Sequence, residues 1–210
     1  MKGIKYFKAR AILLIVFLVP VFFILFLKYC GKNHYAVTVF YRHGVEHPGN
    51  GCRYDSGQYR IHSFPFFTPS GFVCDTSTIR GKFTVLSVQE SSGPKFNEQV
   101  LFNLRRVLDD LNRPDIVQAY IITPDDSTAM TARTDPGVNS AVRQVKGNRS
   151  DVSLFARCGL ILPADSINDR LVLADRQGRI RGYYDASRFD EFERLEIELK
   201  ILLKEMEYEK

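Results

Sequence analysis

Leu171–Asp185 reads LVLADRQGRIRGYYD. Two β-prone runs, Leu171–Ala174 and Ile180–Tyr184, flank the turn Arg176-Gln177-Gly178, a pattern that predicts a hairpin. The period then changes. Phe192, Leu195, Leu199, Leu202 and Met206 recur three or four residues apart, so Asp190 to about Glu209 is predicted to be a helix with one apolar stripe. Ser187 is placed to cap it. The stripe covers barely two heptads, so packing on the domain's own sheet is expected rather than a coiled-coil partner.

Upstream the same punctuation repeats. Phe83–Val88, FTVLSV, lies between Gly81-Lys82 and a polar cluster and reads as a buried strand. Val100, Leu101, Leu104, Val107, Leu108 and Leu111 define an amphipathic helix over about Asn97–Leu111 that Pro114 stops. Ile116–Thr123, IVQAYIIT, is a second buried strand leaving at Pro124-Asp125-Asp126. Residues 124–139 carry few large apolar side chains, so any helix there is expected to be curtailed. Asn148-Arg149-Ser150 is formally a glycosylation sequon, but Ser150 is expected to cap a helix through Gly159 that turns Val152, Leu154 and Phe155 inward. Ile61–Cys74 alternates aromatic residues around Pro69-Ser70-Gly71, predicting strands near Phe64–Phe67 and Phe72–Cys74, with a turn through Asp75–Arg80. The expected class is α/β, a central mixed sheet with flanking helices.

Ahead of this domain, Ala11–Leu27 is a run of 17 apolar residues, long enough to span a bilayer. Lys2, Lys5, Lys8 and Arg10 precede it and Lys28 follows. That weighting puts the N-terminus in the cytoplasm and the domain outside, in the periplasm of a bacterial-type cell whose inner membrane holds the anchor. No small-x-small site closes the run, so cleavage is disfavoured, and Lys28-Tyr29 makes Cys30 a poor lipidation site. The expected layout is a cytoplasmic tail at 1–10, a single transmembrane anchor at 11–28, a juxtamembrane linker at 29–59 and the domain at 60–210. The formal charge of +5 belongs to the anchor: five of the 29 Lys and Arg, and none of the 24 acids, lie before residue 31. A balanced domain has no electrostatic footprint for phosphate backbones, which excludes nucleic acid as a main partner.

Chemistry-bearing residues are sparse. From Ser63 onward there is no histidine and there are only two cysteines, Cys74 and Cys158. Cys30, His34, His43, His47 and Cys52 fall in the linker. His43 and His47 stand four apart, a spacing that could present two imidazoles to a metal, but Gly44 and Pro48 oppose the helix this needs. Asp125 and Asp126 tempt a metal reading and fit a turn better. Ser91-Ser92 has no histidine in the domain to serve as base, which weakens a hydrolase reading. Under oxidising conditions Cys52 could pair with Cys74, or Cys158 could lie buried on its helix.

Leu171–Asp175 with Gly178-Arg179-Ile180-Arg181-Gly182-Tyr183-Tyr184 resembles the L-V-D-x-x-G-x-I-R-G-x-Y hairpin of the SCO/SenC family. Phe64–Gly71 with Gly81-Lys82 is similar to that family's leading hairpin and first strand. The resemblance covers about residues 60–205. It implies a thioredoxin-like fold and the setting of cytochrome oxidase assembly, where the family is associated with copper delivery and thiol redox. It also implies where ligands would stand. The two cysteines of the family's C-P-x-x-C motif map onto Gly93 and Asn97, with Pro94 kept between them, and its histidine falls near Ser166 or Ile167. None of these is a thiol or an imidazole, so no catalytic, cofactor or metal residue is assigned in the domain. The resulting expectation is a non-catalytic, membrane-tethered module that binds a protein partner, with the loop Gln89–Lys95, including Ser91, Ser92, Pro94 and Lys95, as its contact face. The alternative is an active copper chaperone or thiol oxidoreductase whose ligands have moved to Cys52, His43 and His47.

Overall fold

The computed structural model describes residues 16, 18–26, 36–46, 51–62, 66–67, 73–90, 93–125 and 141–208. The chain divides into two units, residues 1–36 and 37–210. In the first, Val16 and Leu18–Phe26 are helical, and the large apolar side chains of this stretch are all exposed, Phe22 at 68%. Among the described residues no helix is long and apolar enough to cross a membrane. The ends of the expected anchor, residues 11–15 and 27–28, lie outside the described residues.

In the second unit the described residues form a seven-stranded mixed sheet. The strands are β1 (Phe66–Phe67), β2 (Val73–Cys74), β3 (Phe83–Val88), β4 (Val117–Pro124), β5 (Val142–Gly147), β6 (Arg170–Ala174) and β7 (Ile180–Asp185). Their spatial order is β2-β1-β5-β4-β3-β6-β7. β3, β4 and β5 run parallel, while β6 is antiparallel to β3 and to β7. The helices are α1 (Thr76–Ile79), α2 (Pro94–Leu111), α3 (Arg149–Leu154), which continues as a π turn over Phe155–Gly159, and α4 (Phe189–Tyr208).

The period-2 pattern of the strands divides the core in two. Phe83, Val85, Val117, Ala119 and Ile121 face one side with the stripes of α2 and α4. Leu86, Val88, Tyr120 and Ile122 face the other, with Phe66, Val152, Phe155 and Leu160. All five stripe residues of α4 are buried, and the hairpin β6–β7 falls where its sequence predicts it. Several details differ from the sequence reading. The expected turn at Asp75–Arg80 holds α1, capped by Asp75. Ser187 does not cap α4, which starts at Phe189; its amide and hydroxyl donate to Asp185 Oδ1 instead. β5 was not expected, and it pairs with β4 over six residues. α2 begins three residues earlier, because Pro94 suits the first helical position, where no amide is needed. Asn148, not Ser150, caps α3, its side chain accepting from the Ser150 amide. Leu154 faces outward at 51% exposure.

The motif Asp175–Tyr184 has a physical reason at nearly every position. Asp175, 2% exposed, accepts the Gln177 and Arg179 amides at 2.9 and 3.0 Å and so shapes the turn. Its other oxygen receives Arg179 Nε at 2.6 Å and Arg181 Nη1 at 3.3 Å. Gly178 takes φ +78°, which a side chain would resist. At Gly182 a Cβ would collide with the Tyr184 ring. The Tyr184 hydroxyl donates to Glu198 Oε2 at 2.6 Å, tying β7 to α4.

The stretch read as linker is ordered against this frame from Val37 onward. Buried Arg181 donates to the carbonyls of Val37 (2.7 Å) and Thr38 (3.2 Å). The Phe40 amide donates to Ile180 O at 2.9 Å and the Ile61 amide to Gly178 O at 2.8 Å. Phe40, Tyr41, Tyr54 and Tyr59 then pack on the second core face, with Phe40 edge-on to Tyr183 at 5.2 Å. The described residues 37–46 and 51–62 form a strap across the sheet rather than a spacer.

Candidate functional site

Ligands of open parallel sheets bind beyond the carboxyl ends of the strands. Here that edge carries the exits of β3, β4 and β5. After β3, the Gln89 amide donates to Ile122 O at 2.9 Å, and the Glu90 amide donates to Asn168 Oδ1 at 2.7 Å. Arg149, just past β5, reaches Glu90 O with Nη1 at 3.4 Å. The loop leading into β6 is thereby held against the loop leading into α2. The positions that the resemblance assigns to ligands come from these two loops.

Their chemistry is not that of a soft-metal site. Gly93 is exposed and ends the loop with no side chain to offer. Asn97 lies on the buried stripe of α2, one turn before Val100 and Leu101, and is 8% exposed. Neither end of its carboxamide has a hydrogen-bond partner among the described residues, and Gln89 Oε1 also lacks one. Ile167 is buried at 3% and apolar. Cu(I) wants thiolate, thioether or imidazole donors, and a carboxamide, a glycine and an isoleucine supply none. The residues present do not fit that ion. Of the expected contact face, Gln89 is buried, Gly93 and Lys95 are exposed, and Ser91 and Ser92 lie outside the described residues.

Of the alternative ligands, Cys52 is not a free thiol. Cys52 is bonded to Cys158, with Cα atoms 5.4 Å apart and a sequence separation of 106. Of the possibilities the sequence left open, neither a Cys52–Cys74 bond nor an unbonded Cys158 holds: the strap carries Cys52 to the π turn at Phe155–Gly159, not to the β1–β2 hairpin. His43 is exposed, and His47 lies outside the described residues. Asp125 is an exposed turn residue whose amide donates to Gly147 O, and Asp126 lies outside the described residues. Among the described residues no three His, Cys, Asp or Glu side chains group as metal ligands.

Tyr59 fastens the same junction. Its hydroxyl donates to the carbonyls of Cys158 at 3.0 Å and Gly159 at 2.8 Å, and burial pushes its ionisation well above the ordinary tyrosine value. Sequence spacing had no way to show this contact, because it joins residues a hundred positions apart through the folded sheet.

No protein-family model matches the chain, and no curated protein matches it in sequence. Its fold, however, matches solved structures. A SCO1/SenC family lipoprotein from Bacillus anthracis superimposes with a TM-score of 0.50 at 14% identity, covering 66% of this chain and 95% of that one. ScoI of Bradyrhizobium japonicum, solved with copper bound, gives 0.51 at 17% identity over 68% and 98%. A candidate protein disulfide isomerase from Bacteroides thetaiotaomicron gives 0.51 at 22% identity over 72% and 94%.

Proposed function

We propose that this chain uses its second unit, which has the fold of SCO1/SenC proteins, as a membrane-tethered, extracytoplasmic binding module for a protein partner, in cytochrome oxidase assembly or envelope maintenance, without carrying copper or exchanging thiols at the fold's β3–α2 loop. The supporting observation is the identity of the residues at the loop junction. Gly93, Asn97 and either Ser166 or Ile167 stand where the resemblance places donors, and the junction is nonetheless built, with Glu90 and Asn168 hydrogen-bonded across it. A built junction without soft donors suits recognition by shape. The anchor is supported by a helix whose apolar side chains are exposed all round, an arrangement disfavoured in water and ordinary in lipid.

Cu(I) titration of the full chain in detergent, reduced and set against a chelator of known affinity, tests this reading. The expected result is no retention of Cu(I), with retention appearing in the Gly93→Cys, Asn97→Cys, Ile167→His triple variant. Tight binding by the unaltered chain, lost on Cys52→Ala or His47→Ala, would replace the module with a chaperone whose site has moved.

A further inference from the structure

We propose that Cys52–Cys158 is an exchangeable disulfide, and that the groove beside it receives the thiolate of a reducing dithiol. Both cysteines are half-exposed. They border an open groove of about 240 Å³ whose other walls include Gly51, Arg53, His62, Asp151 and Leu154. An attacking thiolate needs a path to sulfur and a surface to dock on, and this groove supplies both.

The two sulfurs are not equivalent. Cys158 sits in the last turn of the α3–π helix, where backbone carbonyls put partial negative charge; Asp151 lies on the same helix, and Arg157, next to Cys158, is turned back to donate from Nε to Ser153 O at 3.4 Å. Cys52 is followed by Arg53 and shares the groove with His62. A thiolate is favoured beside a guanidinium and disfavoured at a helix C-terminus, so Cys52, next to Arg53, is the better leaving group. The donor thiolate attacks Cys158 Sγ, the Cys52–Cys158 bond breaks, and Cys52 leaves with the electron pair as a thiolate. The donor's second thiol, once deprotonated, attacks the mixed disulfide and releases Cys158. The donor ends as a disulfide, and its two thiol protons end on Cys52 and Cys158. Two electrons pass to this chain.

Opening the bond need not unfold the domain. The Tyr59 hydroxyl still holds the Cys158 and Gly159 carbonyls, and Arg181 still holds Val37 and Thr38. The cysteines therefore stay close enough to re-form the bond. This inference stands apart from the proposed function, since it concerns a site on the strap rather than the β3–α2 loop.

The full chain in detergent, treated with graded dithiothreitol, trapped with an alkylating mass tag and mapped by peptide, tests it. Cys52 and Cys158 are expected to gain tags together while the far-UV circular dichroism is unchanged, and Arg53→Ala is expected to slow the reaction by roughly threefold to tenfold. With limiting glutathione, the mixed disulfide is expected on Cys158. Tags that appear at the pair only once the circular dichroism signal collapses would make it a structural bond and overturn the proposal. Glutathione captured on Cys52 would overturn the direction of attack.

Discussion

Asn97 places an unpaired carboxamide on the apolar stripe of α2, and a buried polar group without a partner costs about 1–3 kcal/mol. Asn97→Leu removes that cost and keeps a similar volume, so it is expected to stabilise the domain by about 1 kcal/mol. Denaturant unfolding of the two proteins measures it, and a less stable variant would mean that the amide is paired in solution. That Asn97 belongs to a helix was legible from the sequence, because the apolar stripe from Val100 to Leu111 fixes the period. Its loneliness was not, since hydrogen-bond satisfaction depends on what the fold brings near. The partner of Cys52 was hidden for the same reason. Cys74 looked natural by proximity along the chain, and only the path of the strap shows that Cys158 is adjacent in space.

The elements that announced themselves are those whose side chains sort cleanly. β6, β7 and α4 keep one pattern from end to end, and α4 buries Phe192, Leu195, Leu199, Leu202 and Met206 as its stripe requires. Leu199→Ala is expected to cost about 2–5 kcal/mol, while Ile197→Ala, on the exposed face of the same helix, is expected to change stability by less than about 0.5 kcal/mol. Thermal unfolding of both variants checks this contrast, and equal losses would contradict the burial of the stripe. β5 gives the opposite lesson. Its sequence VRQVKG has two valines on opposite faces of the sheet and polar residues between them, so neither the alternation of a half-buried strand nor the run of a central one is visible. Parallel pairing with β4, not its own pattern, makes it a strand.

For the molecule as a whole, the largest gap between sequence and structure is the strap. Residues 37–59 look like a spacer because glycine, histidine, tyrosine and arginine dominate them. Their aromatic rings are sheet cover, however, and the arginine that secures them, Arg181, lies far away in β7. A local reading cannot see a fastening whose two halves are more than 140 residues apart.

The covalent link between strap and π turn also imposes an order in time. A reduced, unfolded chain closes short loops more readily than long ones. Cys52 therefore meets Cys74 before it meets Cys158, across a loop that spans the first five strands. The wrong bond is expected to be the quick one, so that oxidative maturation passes through its reshuffling, a step of seconds to hours without an isomerase. Cys74→Ser is expected to reach the Cys52–Cys158 bond several-fold faster when refolded from the reduced state in a glutathione buffer, as followed by acid quenching and peptide mapping. An unchanged rate would mean that the strap docks before any sulfur reacts. A chain that matures in this way depends on thiol exchange in its surroundings to complete its own fold.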